Sequence, residues 1–164
     1  MNDRERLELL QQYDRGPHLL SDALVQFPRH MWKYKPAPDK WSIHEVVIHL
    51  ADSEVESHVR LRMILAEPGT TIPNHDEHQW SVALNYLLSD VDEALTTIRH
   101  IRRLNWKLLN AVPEQAWLNY CVHSVRGKIR LEDWLTTYVA HIPHHIQQLE
   151  RVHDHWVANG APDG

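Results

Sequence analysis

The sequence predicts an all-α fold, a four-helix bundle with long crossover connections, on three observations. Glycine is scarce, at 5 of 164 residues, and β-branched residues are dispersed among Leu, Ala, Glu, Gln and Arg, a helix-favouring composition. Three segments repeat apolar residues at spacings of three and four, as the buried face of a helix does. The segments joining them exceed ten residues, more than antiparallel neighbours in a simple bundle need. A chain of 164 residues predicts a single domain over 1–164.

Pro17 suits a first helical position after Gly16, and Leu19, Leu20, Ala23 and Leu24 carry that helix to about Gln26. Residues 3–13 are also helix-permissive, so Gly16-Pro17 either starts a helix or separates two helical pieces. Pro28, Pro36 and Pro38 make residues 27–40 a connecting loop. Ser42-Ile43-His44-Glu45 is a capping box that opens a long helix. Its stripe is Ile43, Val46, Leu50, Ser53, Ser57, Leu61 and Ile64, and it ends near Ala66, before Pro68-Gly69. Residues 70–80 read as a polar loop and 82–88 as a short helix. Ser89 or Asp90 caps the next long helix, which carries Val91, Ala94, Leu95, Ile98, Ile101, Leu104, Leu108 and Leu109 and stops before Pro113. Residues 117–129 have some strand character around Tyr120-Cys121-Val122-His123, with Arg126-Gly127-Lys128 as a turn, and predict a short hairpin or an irregular connection. The last helix covers about 131–156, with Trp134, Tyr138, His141, His145, Leu149 and Val152 on one face.

Composition removes several function classes. The formal net charge of −5 argues against a nucleic-acid surface built on positive charge. No apolar run approaches the roughly 20 residues of a membrane span. The first ten residues carry five charged side chains and lack the apolar core of a secretory signal, so the expected compartment is the cytoplasm. The single cysteine, Cys121, excludes an internal disulfide and a four-Cys zinc site, and is expected to be a buried, inert thiol. Serine-nucleophile motifs, phosphate-cradling glycine loops and dinucleotide fingerprints are absent.

Fourteen histidines direct attention to metal and acid–base chemistry. His141 and His145 form an H-x-x-x-H pair whose imidazoles share one side of a helix, one turn apart. A chain this rich in histidine yields about one such pair by chance. Position adds weight, because both lie within the stripe that faces the bundle core. An open metal site needs about three protein ligands, so a third must come from another helix, and His49 borders the core stripe of the capped helix. The competing reading is a set of core histidines satisfied by hydrogen bonds. Asp52 and Ser53 stand where they could orient an imidazole. His44, His58 and His144 point elsewhere, and His18, His30, His100 and His123 have no organised company. His75, Asp76, Glu77, His78 and Trp80 read as a polar loop over the mouth of a site. Arg60 and Arg62 read as surface residues that could bind an acidic cofactor. Pro143, between the two paired histidines, predicts a kink.

Three segments together resemble the DinB-like superfamily in its YfiT-like branch. Residues Trp41-Ser42-Ile43-His44-Glu45-Val46-Val47-Ile48-His49-Leu50-Ala51-Asp52-Ser53-Glu54 look like the opening of its second helix. Pro73-Asn74-His75-Asp76-Glu77-His78-Gln79-Trp80 is similar to its Asp-Glu…Trp loop, and Tyr138-Val139-Ala140-His141-Ile142-Pro143-His144-His145-Ile146 resembles its histidine-rich last helix. The resemblance implies a four-helix bundle holding one divalent metal, Zn or Ni, on His49, His141 and His145, and a homodimer. It further implies thiol chemistry, since characterised members include S-transferases that use bacillithiol or related low-molecular-weight thiols. One departure is Gln147, where related sulfoxide synthases carry an acid in an H-x-x-x-H-x-E pattern. The resulting expectation is a thiol-dependent S-transferase acting on a small-molecule substrate. The alternatives are a metal-dependent hydrolase using metal-activated water and a non-enzymatic, stress-related metal-binding bundle.

Overall fold

Side-chain caps fix where the long helices begin. In the computed structural model, which describes residues 1–160, Asn2 and Glu5 form a reciprocal capping box at the start of α1 (Asp3–Val25). Ser42 and Glu45 do the same for α2 (Ile43–Ala66). The carboxylate of Asp90, rather than Ser89, accepts the first amides of α4 (Val91–Asn110). Asp133 accepts the Arg130 amide at 2.9 Å at the head of α5 (Leu131–Asn159). These caps satisfy amides that would otherwise lack partners. Residues 161–164, the end of the predicted 1–164 domain, lie outside the described residues.

The four long helices pack in a ring in which α1 touches α4 and α5, and α2 touches the same two. The helices of each pair α1/α2 and α4/α5 therefore face one another across the bundle rather than side by side. Crossing that diagonal is what the long connections 26–42 and 111–130 are for. The bundle is the predicted one, with several corrections between the helices. Residues 27–40 contain a 3-10 turn, Arg29–Met31. The stretch 70–80 is not all loop, since it holds β1 (Thr71–Ile72) and the start of α3 (Glu77–Ala83). The expected short helix over 82–88 is replaced by the end of α3 and a 3-10 turn, Tyr86–Leu88, separated by Asn85 at φ +50°. The expected hairpin forms, as β2 (Tyr120–His123) and β3 (Gly127–Arg130), paired antiparallel with Tyr120 opposite Arg130. β1 adds to it in parallel, with Ile72 opposite His123. No helix among the described residues is long and apolar enough to cross a membrane.

The main correction concerns Gly16-Pro17, which neither starts nor breaks a helix: α1 runs through both. Proline has no amide to give the carbonyl four residues earlier, here Tyr13. In this fold Arg102 of α4 fills that gap, its Nη1 donating to the Tyr13 carbonyl oxygen at 3.1 Å. Its Nη2 donates to the Tyr138 carbonyl of α5 at 2.7 Å, and its Nε to Glu54 Oε1 of α2 at 2.7 Å. One guanidinium thus ties all four long helices together, and both members of the ion pair are buried, Arg102 at 1% and Glu54 at 0% exposure. Gly16 makes this possible, since a Cβ there would lie 2.3 Å from Arg102 Nη1. Two apolar clusters flank this polar centre. One includes Leu20, Ile43, Leu50, Ile98 and Ile142, and the other Tyr13, Leu61, Ile64, Leu131 and Trp134.

Removing one partner of a buried ion pair leaves an uncompensated charge, so Arg102→Met should destabilise the protein by about 3–5 kcal/mol, read from urea unfolding. Pro17→Ala returns an amide that can reach the Tyr13 carbonyl. It should therefore stabilise the Arg102→Met protein by about 1 kcal/mol more than it stabilises the wild type. Equal effects in the two backgrounds would refute the proposed bond exchange.

Candidate metal centre

α2 and α5 pack side by side, and their facing stripes carry His49 and the pair His141 and His145. Spacing of four brings the rings of His141 and His145 edge to face at 4.7 Å, with their Nε2 atoms 3.2 Å apart. His49 joins them from across the seam, its ring centre 4.8 Å from that of His145 and 5.6 Å from that of His141. One ring nitrogen from each of the three lies within 4.8 Å of the others. His49 and His145 are buried, and His141 is half-buried.

Second contacts orient the rings. His145 Nδ1 lies 2.8 Å from Gln148 Oε1. The amide oxygen can only accept, so the His145 proton sits on Nδ1 and the Nε2 lone pair faces the cluster. Trp41 packs on His49 with ring centres 4.7 Å apart and is itself held by a bond from its Nε1 to Ser81 Oγ at 3.2 Å. Ser53 Oγ stands 3.4 Å from His49 Nε2, while Asp52 turns away and accepts the Tyr86 hydroxyl at 2.6 Å. Glu77 Oε2, from the first turn of α3, lies 3.6 Å from His49 Nε2. That contact is not an ion pair, because the imidazole is neutral.

Burial is the main reason for that neutrality. It pushes His49 down to about 3, with His145 and His75 adding to the effect. Burial likewise pushes His141 down to about 2 and His145 to about 4. All three are neutral ligands at pH 7, with no proton to displace. The donor set fits a borderline divalent ion in its spacing. Zn–N bonds of about 2.0–2.1 Å at tetrahedral angles place neighbouring ligand atoms about 3.3 Å apart, and the His141–His145 separation is 3.2 Å. The opposite ring nitrogen, His141 Nδ1, is buried without a partner.

The other predicted residues divide clearly. His44 Nε2 lies 3.0 Å from the Tyr86 carbonyl, and His58 Nδ1 lies 2.8 Å from Asn105 Oδ1. His144 is exposed on the rim of a cleft that also includes His145, Gln148, Trp41 and Glu77. Cys121 is fully buried, and burial raises its thiol pKa, as an inert thiol requires. Arg60 and His75 reach Glu56, at 3.1 and 2.5 Å, on the wall of a second cleft. Arg62 instead bonds the His58 carbonyl and Asn105. His123 is a correction: it does have company, lining that second cleft with Arg60, His75 and Arg126. The orienting roles of Gln148 and Trp41 went unread in the sequence. Gln148 was reachable from its i+3 spacing to His145, whereas Trp41 carried no local signal.

This fold and cluster define a helical bundle with a three-histidine centre between two of its helices. A sequence profile of the DinB superfamily matches residues 12–149, so the chain belongs to that superfamily. It is similar to YfiT of Bacillus subtilis, provisionally named a metal-dependent hydrolase, with 30% identity over 66% of this chain and 62% of YfiT. A Bacillus licheniformis protein given the same provisional name is 25% identical over 91% of this chain and 85% of its own length. The solved structure of B. subtilis YfiT, described as a probable metal-dependent hydrolase with an unusual four-helix bundle topology, superposes with a TM-score of 0.85. It covers 93% of this chain and 87% of that one at 24% identity, a likeness of fold.

The depressed imidazoles make a prediction about pH. Between pH 6.5 and 4 the unfolded chain binds protons at these three histidines that the folded, metal-free chain refuses. Stability is therefore fully present above the unfolded pKa of about 6.5 and falls as pH drops below it, by up to about 1.4 kcal/mol per pH unit for each histidine. Urea midpoints of metal-free protein at pH 7.5, 6.0 and 5.0 should decline steeply across the last interval. A flat profile would mean that the folded imidazoles titrate normally.

Proposed function

We propose that this chain, acting as one domain, is a divalent-metal-dependent enzyme in which His49, His141 and His145 hold Zn or Ni and the reaction is transfer to a low-molecular-weight thiol such as bacillithiol. The observation that carries the metal reading is the convergence of three neutral imidazoles from two helices, with ligand nitrogens within 4.8 Å. The provisional names of the relatives support metal dependence, and the thiol rests on the resemblance of the three sequence segments. When bound, the ion supplies Lewis acidity, lowering the pKa of a thiol or water at its open position.

The chain's own residues supply the rest. Gln148 holds the His145 tautomer, and Trp41 fixes the plane of His49 and screens it from water. Glu77 is the carboxylate beside the cluster and is 60% exposed on its side chain, so it can meet a substrate. In the transferase reading it takes the proton from the thiol. The sulfur then attacks the electrophilic carbon, the carbon–sulfur bond forms, and the leaving group departs with its bonding electrons and receives the proton. In a hydrolytic reading Glu77 takes the proton from water instead, and the same provisional names favour that second reading. The small molecule enters by the two clefts that meet at Glu77.

Elemental analysis of protein purified without chelator or nickel affinity should give near-stoichiometric metal, lost on His145→Ala while helical circular dichroism is kept. Metal-free wild type that stays folded and takes up neither Zn nor Ni would overturn the reading. With metal loaded, turnover of an electrophile such as monochlorobimane should require added thiol. Turnover without thiol would exclude the transferase and leave the hydrolase. Glu77→Gln should lower kcat by about 10²-fold, the usual range for losing a general base, with metal content unchanged.

A further inference from the structure

The second cleft is built where the small sheet meets the loop before α3. Pairing of β1 with β2 sets the loop 73–76 against the hairpin turn 124–126. Ser124 N donates to the Ile72 carbonyl at 3.0 Å, and the Asn74 amide donates to Ser124 Oγ at 2.9 Å. The resulting cavity of about 370 Å³ is lined by Arg60, Asn74, His75, Asp76, Glu77, His123 and Arg126. Its Glu77 wall is the side chain that stands 3.6 Å from His49, so a ligand seated here reaches the three-histidine cluster past that one residue.

Sorting the polar groups of this cleft into occupied and free shows what it is made to receive. The acceptors are only partly engaged. Glu56, behind Arg60, is held by Arg60 and His75. Asp76 caps α3, its Oδ1 accepting the Gln79 amide at 2.9 Å, while the Glu77 carboxylate, 3.6 Å from the neutral His49, stays open to solvent. Two donors are free. His123 is 4% exposed, and its Nδ1 accepts two backbone amides, Val125 at 3.1 Å and Arg126 at 3.2 Å. Two donors on Nδ1 force the proton onto Nε2, and this N–H has no partner among the described residues. The guanidinium of Arg126 has none either. A donor with a locked tautomer and an exposed guanidinium thus open into one cleft, where an acceptor can take both.

Deepening the reading just proposed, and resting on it for the reaction, we propose that this cleft is a subsite for a carboxylate group of the substrate or thiol, received by Arg126 and His123 with Arg60 at its wall. One free cation and one neutral N–H match the single charge and two oxygens of a carboxylate. A phosphate would bring nearly two charges and three acceptor oxygens against Asp76 and Glu77.

Isothermal titration of succinate into full-length protein, with metal first removed by chelator and the chelator dialysed away, tests the subsite apart from the metal. Saturable one-to-one binding is expected, weakened about ten-fold by Arg126→Gln, the range for a charged hydrogen bond. It should also weaken about ten-fold in His123→Asn, whose side-chain oxygen can still accept the two turn amides. Arg103→Gln on α4, outside the cleft, should leave binding unchanged. No saturable binding to the wild type, or undiminished binding to Arg126→Gln, would overturn the proposal. Tighter binding of inorganic phosphate than of succinate would overturn the carboxylate assignment. Succinate binding in a protein that takes up no metal would leave the subsite standing and refute only the metal reading. Metal uptake without succinate binding would do the reverse.

Discussion

The buried pair of Arg102 and Glu54 is the constraint around which the bundle is arranged. Burying two charges costs solvation that their attraction returns only in part, so its contribution is chiefly to exclude other packings. Any register that separates them strands a charge in the interior. The guanidinium also uses two backbone carbonyls, that of Tyr13, freed by Pro17, and that of Tyr138, which lies one turn before His141 and Ile142. The helix that presents two of the three clustered histidines is thus anchored at its approach to the site. Tyr13, Asn105 and Ser57 complete the network around Glu54 with bonds of 3.2 to 3.5 Å. The polar centre is satisfied by protein alone.

Against that satisfied network, the histidine cluster and its neighbouring cleft look different in kind. His141 Nδ1 is buried without a partner, and His123 Nε2 and Arg126 have donors to spare. Unpaired polar groups of this sort cost stability. Such groups are not confined to the site, since Trp134 Nε1 in the core and Arg6 Nε on α1 are also buried without partners. The sheet has a purpose in this arrangement. Three strands of two to four residues bury little, but they hold residues from two distant loops as opposing walls of one cleft.

How much of this was legible in the sequence depended on how local the signal was. The caps at Ser42 and Asp90 and the stripes of α2, α4 and α5 are statements about residues three or four apart, and they carried the bundle. His141 and His145 are such a pair, and His49 was reachable because it borders a stripe. His123 was not, because all its cleft neighbours but Arg126 lie in residues 60–77, far away along the chain, and the loop 73–76 comes near through strand pairing. Gly16-Pro17 was misread for the same reason, since the residue that makes a proline tolerable inside α1 lies in α4.

What the sequence by itself determined, therefore, is the set of long helices, where α2, α4 and α5 begin, and which faces they bury, because capping and amphipathic periodicity act within one or two turns. Tertiary structure alone decided that α1 and α2, and likewise α4 and α5, sit across the bundle diagonal and that α1 continues through Pro17. It also decided that Glu77 stands beside the cluster and that His123 lines the neighbouring cleft. Those outcomes depend on a buried charge finding its partner and on strands pairing across fifty residues, and such interactions between distant parts of the chain leave no period in the sequence.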